Sequence, residues 1–195
     1  PVDAHEEIER QRLRDMVIYH LGKVELPDAR RRFRFFQHQF SGGEAQRIMI
    51  ASALICNPSL IIADEPTSDL DVTVQRQVLE LLKRVKKEFG LSMLLITHDL
   101  GVIAEMSDYV YVMYAGRIIE HGDVYEIFED PKHPFTRGLL RSAPRIDSDH
   151  FELEGMRGEL PQPPYDIPGC VFHPRCNYVK DVCREKKPTL TEYKP

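Results

Sequence analysis

Three short stretches of this sequence carry side chains able to do chemistry together. Leu60-Ile61-Ile62-Ala63 is an apolar run that ends on two carboxylates, Asp64 and Glu65. Met93-Leu94-Leu95-Ile96 is a second such run, and it ends on Thr97-His98-Asp99. Ser41-Gly42-Gly43-Glu44 opens a third segment, where two glycines let a ligand approach the backbone closely. Two acids and a histidine thus stand just past the ends of the two apolar runs. The start of a helix offers unpaired N–H groups to an anion. Ser41-Gly42-Gly43 is thus a phosphate-type site. Each alone has a plainer explanation, as polar strand ends or as a capped helix. A fourth group, Cys170, Cys176 and Cys183, has the spacing C-x5-C-x6-C. It matches neither the paired cysteines of common zinc sites nor ferredoxin runs, and leaves a metal site and three free thiols both open.

The elements that must position these residues follow from periodicity. Residues 5–21 are charged and helix-compatible, with Ile8, Leu13, Val17, Ile18 and Leu21 as an apolar stripe. Leu26-Pro27-Asp28 interrupts them. Ser41 and Glu44 have the spacing of a capping box, so a helix is expected from Ser41, with Ile48, Ala51, Leu54 and Ile55 on one face. Asn57-Pro58 ends it. The apolar run 60–63 reads as a buried parallel strand. Asp71 is a good N-cap for the next helix, whose face is Val74, Val78, Leu81, Leu82, Val85 and Phe89, and Gly90 suits its stop. The run 93–96 is then a second buried strand, parallel to the first across a βαβ crossover. In such a sheet ligands bind beyond the carboxyl ends of the strands, where Asp64, Glu65 and Thr97–Asp99 lie. Tyr109–Tyr114 and Arg117–Glu120 flank Ala115-Gly116 as a hairpin, and Asp123–Glu129 is expected to be a short helix. From residue 131 prolines become frequent, and 159–169 reads as a linker.

Composition narrows the classes. The 195 residues are 42% hydrophobic and 29% charged, which suits a domain with a real core plus a small appendage. The formal charge of -5 gives no support to nucleic acid as a partner. The exception is the run Arg30-Arg31-Arg32-Phe33-Arg34-Phe35-Phe36, which reads better as a docking surface or solvated helix end than as a nucleic-acid site. No apolar stretch of about 18 residues is present to span a bilayer as a helix. The chain begins at Pro1, and the expectation is that it starts inside a longer sequence.

In order, these pieces resemble the ABC ATPase family. Phe40-Ser41-Gly42-Gly43-Glu44 is similar to its LSGGQ signature, with Glu44 in place of Gln. Leu60–Glu65 resembles its Walker B strand, Ser68-Asp69-Leu70-Asp71 its D-loop, and Thr97-His98-Asp99 its switch histidine region. The resemblance implies an α/β P-loop NTPase sheet with a helical subdomain segment, ATP and Mg²⁺ as ligands, and ATPase activity in the full protein. Asp64 would help hold Mg²⁺, Glu65 would polarise the attacking water, and His98 would contact the γ-phosphate. Ser41, Gly42, Gly43 and Glu44 would bind nucleotide held by an opposite subunit, and Asp71 would act across that dimer interface. The phosphate loop G-x-x-x-x-G-K-[ST] occurs nowhere in the sequence. In the family it lies upstream of the signature helix, so it is expected before Pro1, and the chain alone is expected to be inactive.

The tail resembles the oligopeptide/dipeptide importer branch. His133-Pro134-Phe135-Thr136, Leu139-Leu140 and Ser142-Ala143-Pro144 are similar to that branch's HPYT…LL…SxP stretch. Pro168-Gly169-Cys170, Phe172-His173-Pro174-Arg175-Cys176, Cys183 and Pro188 are similar to its PxGCxFHPRC…C…P extension. The branch implies a [4Fe–4S] cluster on Cys170, Cys176 and Cys183, with a fourth ligand downstream or at His173. It also implies membrane permease subunits as partners and a place on the cytoplasmic face of the cell membrane. Three segments are expected: residues 1–57 as helical subdomain and signature helix, 58–130 as ATPase core, and 131–195 as the irregular extension. A soluble non-transport ABC ATPase, and a partner-binding fragment without activity, remain alternatives at this point.

Overall fold

A computed structural model describes residues 9–142, 156–163 and 166–193. The chain divides into two compact units, one up to Asp99 and one from Leu100 onward. The change of texture near residue 130 falls inside the second.

In the first unit, α1 (Arg10–Lys23) runs two residues beyond the expected stop at Leu21. Residues 5–8 of the expected helix lie outside the described residues. A turn follows in which Glu25 and Asp28 take left-handed backbone angles. The Glu25 carboxylate accepts from Arg84 at 2.6 Å and Arg47 at 3.3 Å, which ties the turn to two later helices and holds its carboxyl below the usual range. After the short α2 (Ala29–Arg32) comes α3 (Gly42–Leu54), capped by Ser41 as expected. Strand β1 (Leu60–Asp64) leads to α4 (Val72–Phe89), capped by Asp71 and stopped by Gly90 at φ 63°. Val78, Leu81, Leu82 and Val85 are buried along it, together with Leu79, which lies beside the expected face. Strand β2 (Ser92–Ile96) pairs parallel with β1, Leu60 opposite Ser92 through Asp64 opposite Ile96.

One expectation needs correction. The two strands are covered on one face only. Ile61 and Ala63 are buried, but Leu60, Ile62, Leu94 and Ile96 are 46–63% exposed. Alternate side chains leave opposite faces of a strand, so a one-sided sheet buries every second residue whatever its hydropathy.

In the second unit, α5 (Leu100–Met106) precedes the hairpin of β3 (Tyr109–Tyr114) and β4 (Arg117–Asp123). Ala115 at φ 46° and Gly116 at φ 71° make its tight turn, the left-handed pair that matches strand twist. Asp123 caps α6 (Val124–Glu129). α7 (Pro134–Arg141) gives the tail motif a structural meaning: His133 caps, Pro134 opens the helix, and Phe135 and Thr136 are buried. Ala143-Pro144 of that motif lie outside the described residues. The core joins Val110, Val112, Tyr114, Val124, Ile127 and Phe135 to Val171 and Phe172 from the tail. Phe172 lies edge-on to Tyr114 at 5.2 Å and 5.6 Å from Phe135. The extension, which includes the short α8 (Asp181–Glu185), is thus anchored by an aromatic plug despite its irregular backbone.

Candidate functional site

Parallel pairing brings the ends of β1 and β2 level, and one further bond carries the ladder past them: Glu65 N–H donates to the Ile96 carbonyl at 2.9 Å. Glu65 sits at φ 45°, a left-handed conformation that costs a non-glycine residue about 1–3 kcal/mol. Ser68 steadies it, its hydroxyl donating to the Glu65 carbonyl at 2.9 Å. The carboxylate is thereby turned toward His98. Glu65 Oε1 accepts from His98 Nδ1 at 2.8 Å and from the His98 backbone N–H at 3.2 Å. The hydrogen bond to Glu65, then its charge and that of Asp99, raise the His98 pKa. Nδ1 therefore carries a proton, and the imidazolium form presents a second N–H at Nε2. Around it, Thr97 Oγ1 accepts from Asp99 N–H at 3.1 Å, and Asp99 Oδ2 accepts from Gln75 Nε2 at 3.1 Å, fixing the loop to α4. Asp64, exposed at the last position of β1, completes this end of the sheet.

The second group lies at the start of α3. Ser41 Oγ accepts from Glu44 N–H at 3.3 Å, and Glu44 Oε2 accepts from Ser41 N–H at 3.0 Å. Gly42 and Gly43 follow the cap, where backbone N–H groups have no partner within the helix. A hollow of about 310 Å³ opens there, lined by Ser41, Gly42 and Gly43 and by Asp69, Leu70 and Asp71. The residues read as signature and as D-loop therefore line one hollow. Asp71 Oδ1 accepts from Thr73 and Val74 N–H at 3.0 Å each, so in this structure it is the cap of α4. A Cβ on Gly43 would meet Val74 Cγ1 at 2.6 Å, so the close approach of α3 to α4 calls for glycine here.

Sequence reasoning missed the partner of Glu44. Arg32 grips it with both guanidinium nitrogens, Nη1 to Oε1 at 2.6 Å and Nη2 to Oε2 at 2.9 Å. With Ser41 N–H this lowers the Glu44 pKa to about 2. The basic–aromatic run is otherwise partly packed. Phe33 lies under the guanidinium groups of Arg14 and Arg34, while Phe36 is exposed.

The cysteines do not meet the expected cluster geometry. Cys170 N–H donates to the Cys183 carbonyl at 2.8 Å, which draws those two backbones together. Cys176 Sγ accepts from Tyr178 N–H at 3.3 Å, and His173 Nδ1 donates to the Cys170 carbonyl at 2.9 Å. Among the described residues no three His, Cys, Asp or Glu side chains form a group able to hold a metal ion. A hydrogen-bonded loop and the Phe172 plug hold this segment instead.

Comparison with known proteins gives two family matches: ABC transporter over residues 3–68, and the oligopeptide/dipeptide transporter C-terminal region over 119–183. The oligopeptide transport ATP-binding protein OppD of Salmonella typhimurium is 47% identical over 86% of the chain and 50% of its own length. The dipeptide transport ATP-binding protein DppD of Haemophilus influenzae is 45% identical over 96% of the chain and 57% of its own length. The chain thus spans about half the length of these relatives. Among solved structures, the dimeric ATP-binding cassette MJ0796 bound to ADP and Pi, in a post-hydrolysis state, is 28% identical, with a TM-score of 0.53, over 62% of this chain and 50% of that one.

Proposed function

The chain belongs to the ABC transporter family, in the branch with the oligopeptide/dipeptide transporter C-terminal region, and from that premise we propose that it serves in an ATP-hydrolysing subunit that powers peptide uptake. The observation that carries this reading is the Glu65–His98 pair at the ends of two parallel strands, 2.8 Å apart. Phosphoryl transfer needs positioning and charge neutralisation more than covalent chemistry. Glu65 uses Oε1 to hold His98, and Oε2 would orient the attacking water. His98 Nε2 would donate to the γ-phosphate, favoured as imidazolium by its carboxylate neighbours. Mg²⁺ binds through one or two carboxylates plus phosphate oxygens, and the hard-oxygen pair at Asp64 and Glu65 fits it; Asp64 would hold it, and when bound it neutralises phosphate charge. Ser41, Gly42 and Gly43 would receive the γ-phosphate of nucleotide held by a second ATPase subunit. Asp71, on the shared hollow, would face that subunit. Membrane permease subunits are the other partners, which puts the protein on the cytoplasmic face of the membrane. The test is Glu65→Gln in the full-length protein. It keeps the shape and removes the base, so an ATP-bound dimer should accumulate with turnover nearly abolished. Ordinary turnover would refute the role of Glu65.

Iron–sulfur ligation by Cys170, Cys176 and Cys183 is the finer reading of the tail. It rests on the tail's resemblance to that branch alone; the described side chains, which form no three-ligand group, do not fit it. No step of the mechanism passes through it. Anaerobic purification decides. A brown sample containing iron and sulfide, colourless after Cys176→Ser, supports the cluster, and a colourless wild-type sample ends it.

A further inference from the structure

We infer that Arg32 is a positioning residue for the phosphate-binding start of α3, acting by neutralising Glu44 and fixing its carboxylate in the cap. The inference rests on the reading of Ser41, Gly42 and Gly43 as a phosphate site. Glu44 poses a problem for that reading. A carboxylate three residues into the helix serves the cap, but it also places a full negative charge within a turn of the N–H groups that should attract an anion. Arg32 offsets this. Its fork takes both Glu44 oxygens at 2.6 and 2.9 Å, and both side chains are largely shielded from solvent. A planar guanidinium holds a carboxylate in one orientation, which a lysine ammonium cannot do.

The grip is itself fixed. The Arg32 guanidinium lies over the Phe40 ring at 4.9 Å and over Phe35 at 5.8 Å. Phe40 immediately precedes Ser41, so Arg32 touches the chain on both sides of the Ser-Gly-Gly turn. Glu44 itself lines the hollow, and turning its carboxylate off Arg32 would break two bonds to Arg32 and the bond to Ser41 N–H together. With the pair neutral, the net field at the start of α3 is that of the helix N-terminus, which favours phosphate.

The test is steady-state ATPase activity of the full-length protein assembled with its membrane subunits. Arg32→Ala, and the milder Arg32→Gln that preserves packing on Phe40, should raise KM for MgATP about tenfold, with kcat changed less than about twofold. Adding Glu44→Gln should return KM to within about twofold of wild type, because a neutral side chain needs no counter-charge. A merely structural Arg32 would predict the opposite, no rescue. Unchanged KM in Arg32→Gln, or a double variant as impaired as the single one, would overturn the inference. Ser41→Arg, run in parallel, separates the two readings. If it turns over normally, the phosphate site itself is misplaced; if it is inactive while Arg32→Gln is normal, only the role of Arg32 fails.

Discussion

His98 and His133 hold opposite electrostatic positions. His98 is exposed beside a carboxylate that favours its charged form. His133 is half-buried, and burial lowers its pKa against a weaker opposing pull from Glu120. Its geometry requires the neutral ring, because Nδ1 accepts the Phe135 N–H at 3.1 Å as the cap of α7. Glu120 supports the same corner, accepting from the Lys132 and His133 N–H groups at 2.5 and 3.0 Å. The direction of linkage follows. A histidine with a depressed folded pKa stabilises fully above its unfolded value of about 6.5, and that contribution is lost as pH falls through the folded value. Urea melts between about pH 5 and pH 8 should therefore show α7 and its unit weakening toward acid. His133→Asn keeps a capping oxygen and cannot titrate, so its stability should depend less on pH over that range. An unaltered slope in His133→Asn would place the titrating group elsewhere.

Helix contacts set the next constraint. The start of α3 meets α4 so closely that Gly43→Ala should force the helices apart, costing about 1–3 kcal/mol of stability. Val74→Ala removes the atom that clashes, so the double variant should recover most of the loss. Denaturant melts of the two single variants and the pair measure this coupling, and a Gly43→Ala variant as stable as wild type would show slack between the helices. The capping residues were legible in the sequence because their signals are local: Ser41 with Glu44, Asp71, and Gly90 each act within a few residues. The Glu65–His98 meeting was legible too, since parallel strand ends must lie side by side. The Arg32–Glu44 fork was not, because a turn separates residues twelve positions apart and Arg32 read as one charge in a basic run. α5 is only seven residues long, too short for periodicity to declare it. α7 was read as a family motif, although His133-Pro134 is also a helix-start signal.

For the whole polypeptide the exposed side of the β1–β2 pair matters most. Its hydropathy predicted burial on both faces, yet within the described residues Leu60, Ile62, Leu94 and Ile96 stay open together, with Ile62 opposite Leu94 in register. A contiguous apolar patch of this kind favours contact with another surface. The magnitude decides what kind of contact. Each half-exposed side chain gains about 1 kcal/mol on full burial. Two copies meeting on this face bury eight such side chains, about 8 kcal/mol, which only roughly balances the cost of about 4–15 kcal/mol for lost translational and rotational freedom. The 195-residue polypeptide should therefore self-associate weakly and reversibly, without forming a stable dimer. Sedimentation velocity over a rising concentration series should show an increasing weight-average coefficient. Ile62→Lys with Leu94→Lys puts two charges in the middle of the patch and should flatten that rise. A rise of the same size in the lysine variant would assign the contact to another surface, and a flat series for the unsubstituted chain would show that the open sheet face is too small to associate.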